Sequence, residues 1–416
     1  MKANRSPALA FIFVTLLIDV LGFGLVIPVF PDLLAQISPI RGSAAAQASH
    51  SATVLGWMST TFGLMQFAFA PILGGLSDRY GRRPVLLVSL ACAALDYVLC
   101  ALAPSLFLLF VGRVIAGITA ASFTSASAYI ADVSPPEERS KNFGLIGAAF
   151  GAGFILGPAL GGLVGNNDPR APFWVAAVLC AFNFLFGLFV LPESLAPENR
   201  RAFDLKRANP FGTFRVLFNF RWVALLVAAL FFLYLAQSAL QNTWSVSGAY
   251  RFDWKPRDIG ISLGLIGAMS ILVQMVLLRR MLPLLGEART LMVGLVFQVI
   301  GFLGFGLATR SGWMYAMTAV WCLSFVSGPA VQGLISKRFG PDEQGTVQGG
   351  LSSLQSLTGI FGPLIATGVF AFFTAPGHPK LPGAPFLLGA LFSTVTGVLA
   401  FMALSLRQAD PEPQAA

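Results

Sequence analysis

Long apolar runs separated by short polar segments dominate this chain. Twelve runs can be marked, and each is close to the ~20 residues that a helix needs to cross ~30 Å of hydrocarbon. Their bounds are 7–34, 53–76, 84–103, 106–131, 142–164, 172–191, 222–246, 259–278, 290–308, 313–336, 347–373 and 385–406. The pattern predicts an all-α membrane protein with 12 transmembrane helices.

The most polar long stretch, residues 193–221, separates six runs from six. A shift of 205 residues superimposes Gly81 on Gly286 and Pro158 on Pro363. Internal repeats of this kind are typical of transporter folds. We therefore predict two pseudo-symmetric six-helix bundles joined by a cytoplasmic linker, with two unrelated helical bundles as the alternative. The predicted domains are 1–192 for the N-terminal bundle, 193–221 for the linker and 222–416 for the C-terminal bundle.

The placement of basic residues predicts which side of the membrane each loop faces. With the N-terminus inside, 19 of the 27 Lys and Arg residues fall in inner segments and seven in outer segments, while Arg113 lies within a span. Because cytoplasmic loops accumulate Lys and Arg, both termini are predicted to be cytoplasmic. The asymmetry also accounts for the net charge of +9, so we expect the lipid bilayer, and no nucleic acid, as a partner.

The side chains that enzymes and metal sites need are scarce in this sequence. The two histidines, His50 and His378, fall in predicted loops, and no P-loop of the form GxxxxGK[ST] occurs. All four cysteines lie within apolar runs, where free thiols behave as small hydrophobic groups. We therefore expect no enzyme activity, no catalytic residue, no metal, no cofactor and no disulfide framework. The first run is too long for the apolar region of a signal peptide, so it is expected to be retained.

Three charged residues fall well inside the predicted spans: Asp19, Asp96 and Arg113. At 1.5 Å per residue, each lies ~18 Å from the inner end of its helix. An ionisable group within a membrane marks a functional site by default. We predict that these three residues form a proton-coupling site in which Asp19 pairs with Arg113.

The chemistry of such a pair suits an exchanger. Water access and the distance to a cation together set the proton affinity of a buried carboxylate. A conformational change that alters either one loads or releases a proton, and it moves substrate if only a loaded carrier isomerises. The alternative is a buried salt bridge that only fixes helix packing, although such pairs seldom add net stability over apolar packing.

A charged hinge joins the second and third runs. It reads Gly74-Gly75-Leu76-Ser77-Asp78-Arg79-Tyr80-Gly81-Arg82-Arg83, which resembles the loop signature G-x-L-x-D-R-x-G-R-R of the major facilitator superfamily of secondary transporters. The resemblance implies that the helix N-terminus of the eleventh span attracts the aspartate of this hinge and favours the outward-open state. The implied conformational latch comprises Gly74, Asp78, Arg79, Gly81, Arg82 and Arg83. Positive-inside topology is the alternative reason for the three arginines.

Three further segments resemble the drug:proton antiporters of that superfamily, and among them the tetracycline efflux proteins. Helix 1 carries Asp19 in a similar setting, and the segment Gly112–Gly117 is similar to the R-x-x-x-G element, which implies proton transfer at Arg113. Helix 5 matches the antiporter motif G-x8-G-x3-G-P-x2-G-G at Gly144, Gly153, Gly157, Pro158, Gly161 and Gly162. Ordinary close packing of helices is the alternative role of these glycines. The resemblance implies export, in the bacterial inner membrane.

The sequence departs from tetracycline exporters in its second half. Those proteins typically carry a histidine in helix 8 and an aspartate in helix 9, where an ungapped alignment places Ser270 and Gln298. The expected polar contacts to substrate are Asn183, Gln237, Gln241, Asn242, Gln298 and Gln332. Interhelical hydrogen bonds are the alternative role of these six side chains. Phe23, Phe30, Phe62, Phe231 and Phe325 are the aromatic side chains expected to line a cavity for amphipathic compounds.

The predicted function is proton-coupled export of small amphipathic drugs, with tetracycline-like compounds as candidate substrates. The predicted transporter is a monomer that alternates between inward-open and outward-open forms. The alternative with the same fold is a proton-coupled uptake symporter for a sugar or an organic acid. A channel or a receptor without countertransport is a further alternative.

Overall fold

The computed structural model describes residues 5–120, 122–134, 136–200, 220–336, 338–339 and 344–409. The α-helices of the first half are α1 (Arg5–Val26), α2 (Phe30–Ile37), α3 (Ala44–Tyr80), α4 (Arg82–Leu102), α5 (Leu106–Thr119), α6 (Ser122–Val133), α7 (Pro136–Val164) and α8 (Ala171–Val190). Those of the second half are α9 (Arg221–Phe252), α10 (Pro256–Leu272), α11 (Leu278–Leu307), α12 (Ser311–Cys322), α13 (Ser327–Ser336), α14 (Gln344–Thr374) and α15 (Ala384–Ala409). Short turns of other helix types connect some of them.

Each of the twelve predicted runs is helical over nearly all of its described residues. Nine segments in this part of the chain are long and apolar enough to cross a membrane. One of them, Pro256–Leu307, is 52 residues long and contains two of the predicted runs. Helix α3 is long enough but more polar, and a further run is divided between α5 and α6. These three cases account for the difference between nine and twelve.

The two halves share a hinge of the same backbone geometry. Gly81, between α3 and α4, has φ 108°, and Gly286, where α11 bends, has φ 74°. Positive φ is readily adopted by glycine because it has no Cβ. Pro158 and Pro363 likewise both lie inside a helix, in α7 and α14. The residues that the 205-residue shift superimposes therefore occupy matching local structures.

The chain divides into two compact units. The first holds the described residues up to 200 together with Gly248–Gly267, and the second holds the described parts of 210–247 and 268–416. The linker predicted at 193–221 lies mostly outside the described residues, so its boundaries stay a prediction. Large apolar side chains are also exposed on the helices, for example Phe107 and Phe189, as expected where lipid is the solvent.

Candidate functional site

A buried ion pair joins α4 to α5 in the first unit. Arg113 Nη2 lies 3.0 Å from Asp96 Oδ2, and only 3% of the Asp96 side chain is exposed. The Cys100 thiol, one turn further along α4, lies 3.6 Å from both partners. Gly112 makes this approach possible, because a Cβ at that position would lie 2.5 Å from Asp96 Oδ1. Gly112 and Arg113, neighbours in the segment similar to the R-x-x-x-G element, thus act together.

The expected pairing of Arg113 with Asp19 was wrong, since the ion pair of Arg113 is with Asp96. Asp19, Asp96 and Arg113 are expected at the same depth in the membrane, but the rotation of each helix about its axis decides which side chains meet. Asp19 nevertheless belongs to the same neighbourhood. The Tyr97 side chain lies within electrostatic range of Asp19, Asp96 and Arg113. Its hydroxyl also packs against Gly22, 3.0 Å from a Cβ built there, one turn beyond Asp19 on α1.

A second polar contact fixes α1 against α8. Thr15 Oγ1 donates a hydrogen bond to Asn183 Oδ1 at 3.2 Å, and both side chains are fully buried. Phe11 meets Gly187 one turn below, and Cys180 lies within electrostatic range of Asp19 one turn above. Asn183, expected to contact substrate, therefore makes the interhelical hydrogen bond that was its alternative role.

The hinge after α3 is organised by two acidic residues outside the predicted motif. Arg82 pairs with Asp78 at 2.6 Å and with Asp132, at the end of α6, at 3.2 Å. The Glu193 carboxylate, just after α8, accepts hydrogen bonds from the backbone N–H groups of Arg82 and Arg83 at 2.8 and 3.2 Å. A carboxylate at a helix N-terminus is favourable because it complements the helix dipole.

Sequence reasoning missed Asp132 and Glu193 as members of this network. The available signal was that both acidic residues lie at the predicted inner ends of spans, on the same side of the membrane as the basic hinge.

The remaining residues of the hinge motif have different surroundings. Arg79 is exposed and stacks on the Tyr80 ring at 5.1 Å, and Gly74 has open space around it. The expected interaction of Asp78 with the eleventh span stays a prediction.

The glycines of the antiporter motif, in the fifth predicted run, lie in α7 and form a close contact with α1. A Cβ at Gly153 would meet Val20, one at Gly157 would meet Leu21 and Gly24, and one at Gly161 would overlap the backbone of Leu25. The repeat of four residues keeps these positions on one helix face. Gly144 lies in α7, but its surroundings fall outside the described side chains.

The other side of α7 contacts α10. A Cβ at Gly162 would overlap the backbone of Pro256, and one at Gly260 would overlap the carbonyl of Pro158. A Cβ at Gly267 would overlap the Ile155 side chain. The motif therefore places α7 between α1 and α10 at backbone contact on both faces, as small residues allow.

A cavity of about 200 Å³ opens in the second unit. Its polar lining consists of three glutamines and two serines, and Phe325 contributes an aromatic ring. Gln237 comes from α9 and Gln298 from α11, so two of the expected substrate contacts are brought together here. Gln274, Ser324 and Ser327 were not expected at the site.

The backbone departs from regular α-helix at this cavity. Val273–Leu277, which carries Gln274, is a π-helical turn, and Leu323–Val326, which carries Ser324 and Phe325, is a 3-10 turn. Such turns within helices occur often at functional sites. Hydropathy did not indicate either departure, because apolar residues occur equally in α-helical, π-helical and 3-10 segments of a membrane span.

The other expected contacts lie elsewhere. Asn242 Nδ2 bonds back to the carbonyl oxygen of Ser238 at 2.9 Å within α9. Gln332 is hydrogen-bonded to Tyr234, and the exposed Gln241 is absent from the lining of this cavity within the described structure. Of the aromatic set, Phe325 is the member that lines it.

The Major Facilitator Superfamily model matches residues 12–363. The chain belongs to this superfamily. It is 40% identical to the class C tetracycline resistance protein of Escherichia coli over 89% of this chain and 91% of that protein. It is 38% identical to the class D protein of Salmonella ordonez over 98% of both chains.

A solved structure agrees with this family membership. The crystal structure of the human organic anion transporter MFSD10 is 26% identical, with a TM-score of 0.71 over 95% of this chain and 99% of that one. The predicted fold class, the superfamily fold of transmembrane helices, is confirmed. The protein is a multi-pass membrane protein, and its similarity to tetracycline resistance proteins supports proton-coupled drug export over uptake.

Proposed function

We propose that this protein exports amphipathic drugs, tetracyclines among them, from the bacterial cytoplasm in exchange for protons. The observation that carries the proposal is its similarity to tetracycline resistance proteins along nearly the whole chain. The buried charges of the first unit and the cavity of the second supply the two parts that such an exchanger needs, a proton site and a drug site. The protein works as a monomer in the inner membrane, with both termini cytoplasmic.

Proton coupling is assigned to Asp19, Asp96 and Arg113. Asp19 binds and releases the proton, because a half-buried carboxylate on α1 changes its proton affinity when water access changes. The Asp96–Arg113 pair keeps a fixed positive group beside Tyr97, close to Asp19. Alternating access comes from rocking of the N-terminal bundle, 1–192, against the C-terminal bundle, 222–416.

The hinge residues act as the conformational latch. Arg82 holds Asp78 and Asp132 together, so that the ends of α3 and α6 move as one piece. Asp78 then attracts the N-terminal end of α14 in one of the two conformations. The glycines of α7 keep α1 at backbone distance, which fixes the position of Asp19 relative to the rest of the first unit.

The experiment that tests the function is drug-driven proton movement in liposomes. Purified protein is reconstituted, a pH gradient is imposed, and tetracycline uptake is followed together with internal pH. Asp19→Asn should abolish proton-driven tetracycline transport while the protein stays folded, because an amide cannot carry the proton. Asp253→Asn, at an exposed loop carboxylate, is the control and should transport normally.

Two outcomes would contradict the proposal. Full transport by Asp19→Asn under a pH gradient would remove Asp19 from the coupling site. Tetracycline movement that leaves internal pH unchanged in the unmodified protein would reject exchange with protons.

A further inference from the structure

The cavity in the second unit has the features of a built binding site. Amide side chains reach it from three separate segments, namely Gln237 from α9, Gln274 from the π-helical turn and Gln298 from α11. Gln274 Nε2 already donates a hydrogen bond to Ser270 Oγ at 2.8 Å. A π-helical turn widens the helix and is less stable than regular α-helix, so its presence at this point suggests a functional reason.

Two of the lining groups are buried donors without a partner. Gln298 is 2% exposed, and its Nε2 atom has no hydrogen-bond partner among the described residues. The same holds for the hydroxyl of Ser327, which is 1% exposed. A buried polar group left unpaired costs about 1–3 kcal/mol, so a native structure that retains one commonly uses it.

The packing of α11 explains why Gln298 stays in place. Gly294 and Gly301 flank it by about one turn on each side. A Cβ at Gly294 would overlap the Ser327 hydroxyl, and one at Gly301 would overlap Trp321. Because these glycines bring the backbone of α11 close to its neighbour, Gln298 is held between two tight contacts rather than on a mobile segment.

Every described residue that lines the cavity is uncharged. A ligand with a net charge would lose its hydration here without gaining a counter-ion, which is unfavourable in an apolar protein interior. Leu233, Phe325 and Pro329 supply apolar surface beside the amides. Flat rings pack well on such surface, while the unpartnered donor of Gln298 requires an acceptor oxygen on the ligand.

We propose that this cavity binds drugs through an uncharged, planar aromatic carbonyl group whose oxygen accepts a hydrogen bond from Gln298 Nε2. The proposal rests on the proposed export function and adds to it the chemical class of the recognised group. The carbonyl oxygen supplies the hydrogen bond that this buried donor lacks among the described residues.

The test compares three bicyclic probes of similar size. Coumarin is neutral and carries a carbonyl group, naphthalene is neutral without an acceptor, and N-methylquinolinium carries a permanent positive charge. Binding to the full-length protein in lipid nanodiscs is measured by saturation-transfer NMR, with displacement by tetracycline. The variants are Gln298→Met, which keeps the side-chain length but removes the donor, and Gln241→Met on α9, which is the matched control.

The expected result is selective for both ligand and variant. Coumarin should bind the unmodified protein and lose about tenfold in affinity in Gln298→Met, as for the loss of one hydrogen bond. Gln241→Met should leave coumarin binding unchanged, and naphthalene should respond to neither variant. N-methylquinolinium should bind at least tenfold more weakly than coumarin.

The proposal is overturned if Gln298→Met binds coumarin as well as the unmodified protein does, or if the cation binds equally well. If Gln298→Met does not fold, the unmodified protein decides in the same assay: coumarin should bind more tightly than naphthalene, and equal affinities would overturn the proposal. Tetracycline–proton exchange is measured on the same preparations. Exchange without the expected probe pattern rejects this inference alone, and the expected pattern without exchange rejects only the export function.

Discussion

At the scale of single residues, Asp96 and Arg113 form a buried ion pair in the first unit. Taking both charges out of water offsets much of their attraction, so the intact pair adds little net stability. Removing one partner leaves the other as a charge without a counter-ion. The site is buried, since only 3% of the Asp96 side chain is exposed. Gly112 supports the pair by leaving room for the carboxylate.

This asymmetry gives a prediction for Asp96→Asn. The single variant should lose about 3 kcal/mol of unfolding free energy, because Arg113 keeps its charge without a carboxylate partner. The double variant Asp96→Asn with Arg113→Gln should recover most of that loss. Thermal unfolding of protein in nanodiscs measures both, and equal stability of the single variant and the unmodified protein would contradict the prediction.

Backbone conformation at Gly81 gives a second prediction. Gly81→Ala should destabilise the protein by about 1–3 kcal/mol, because φ is 108° and a Cβ would overlap the Glu193 carboxylate. Gly74→Ala, within the same motif, should be nearly neutral, since nothing lies within 4 Å of its Cβ position. Paired thermal unfolding curves test this difference, and similar shifts for the two variants would contradict the prediction.

At the scale of helices, α7 depends on glycine for its contacts with α1 and α10. Hydropathy could mark α7 as a span but could not say which neighbour each of its glycines meets. The resemblance to an antiporter motif pointed to the correct residues, and the structure shows their partners to be the backbones of Leu21 and Leu25 on one face and of Pro256 on the other.

Alanine substitution along α7 separates packing from helix propensity. Gly161→Ala should lower the unfolding free energy by about 1–3 kcal/mol, because its methyl group would overlap the Leu25 carbonyl oxygen. Gly147→Ala on the same helix has no atom within 4 Å and should be neutral or stabilising by up to about 1 kcal/mol. Destabilisation of both variants to the same extent would show that the helix, and not the contact, is sensitive.

At the scale of the whole molecule, the distribution of charge predicts orientation. Ala44→Cys, at the exposed first residue of α3, should react with a membrane-impermeant thiol reagent added to intact cells. Glu198→Cys, exposed after α8, should react only after the cells are opened. Three of the four native cysteines are buried, which keeps the background low. The reverse labelling pattern would contradict cytoplasmic termini.

Hydropathy and motif together determined the helical spans, the hinge at Gly81 and the family. These features are local, because a membrane requires every spanning segment to satisfy its own backbone hydrogen bonds. Only the tertiary structure decided that Arg113 meets Asp96 rather than Asp19, and that Gln237 and Gln298 share a cavity while Gln241 does not. Each residue turns a helix by about 100°, so side-chain partners depend on rotations that the packing of neighbouring helices sets.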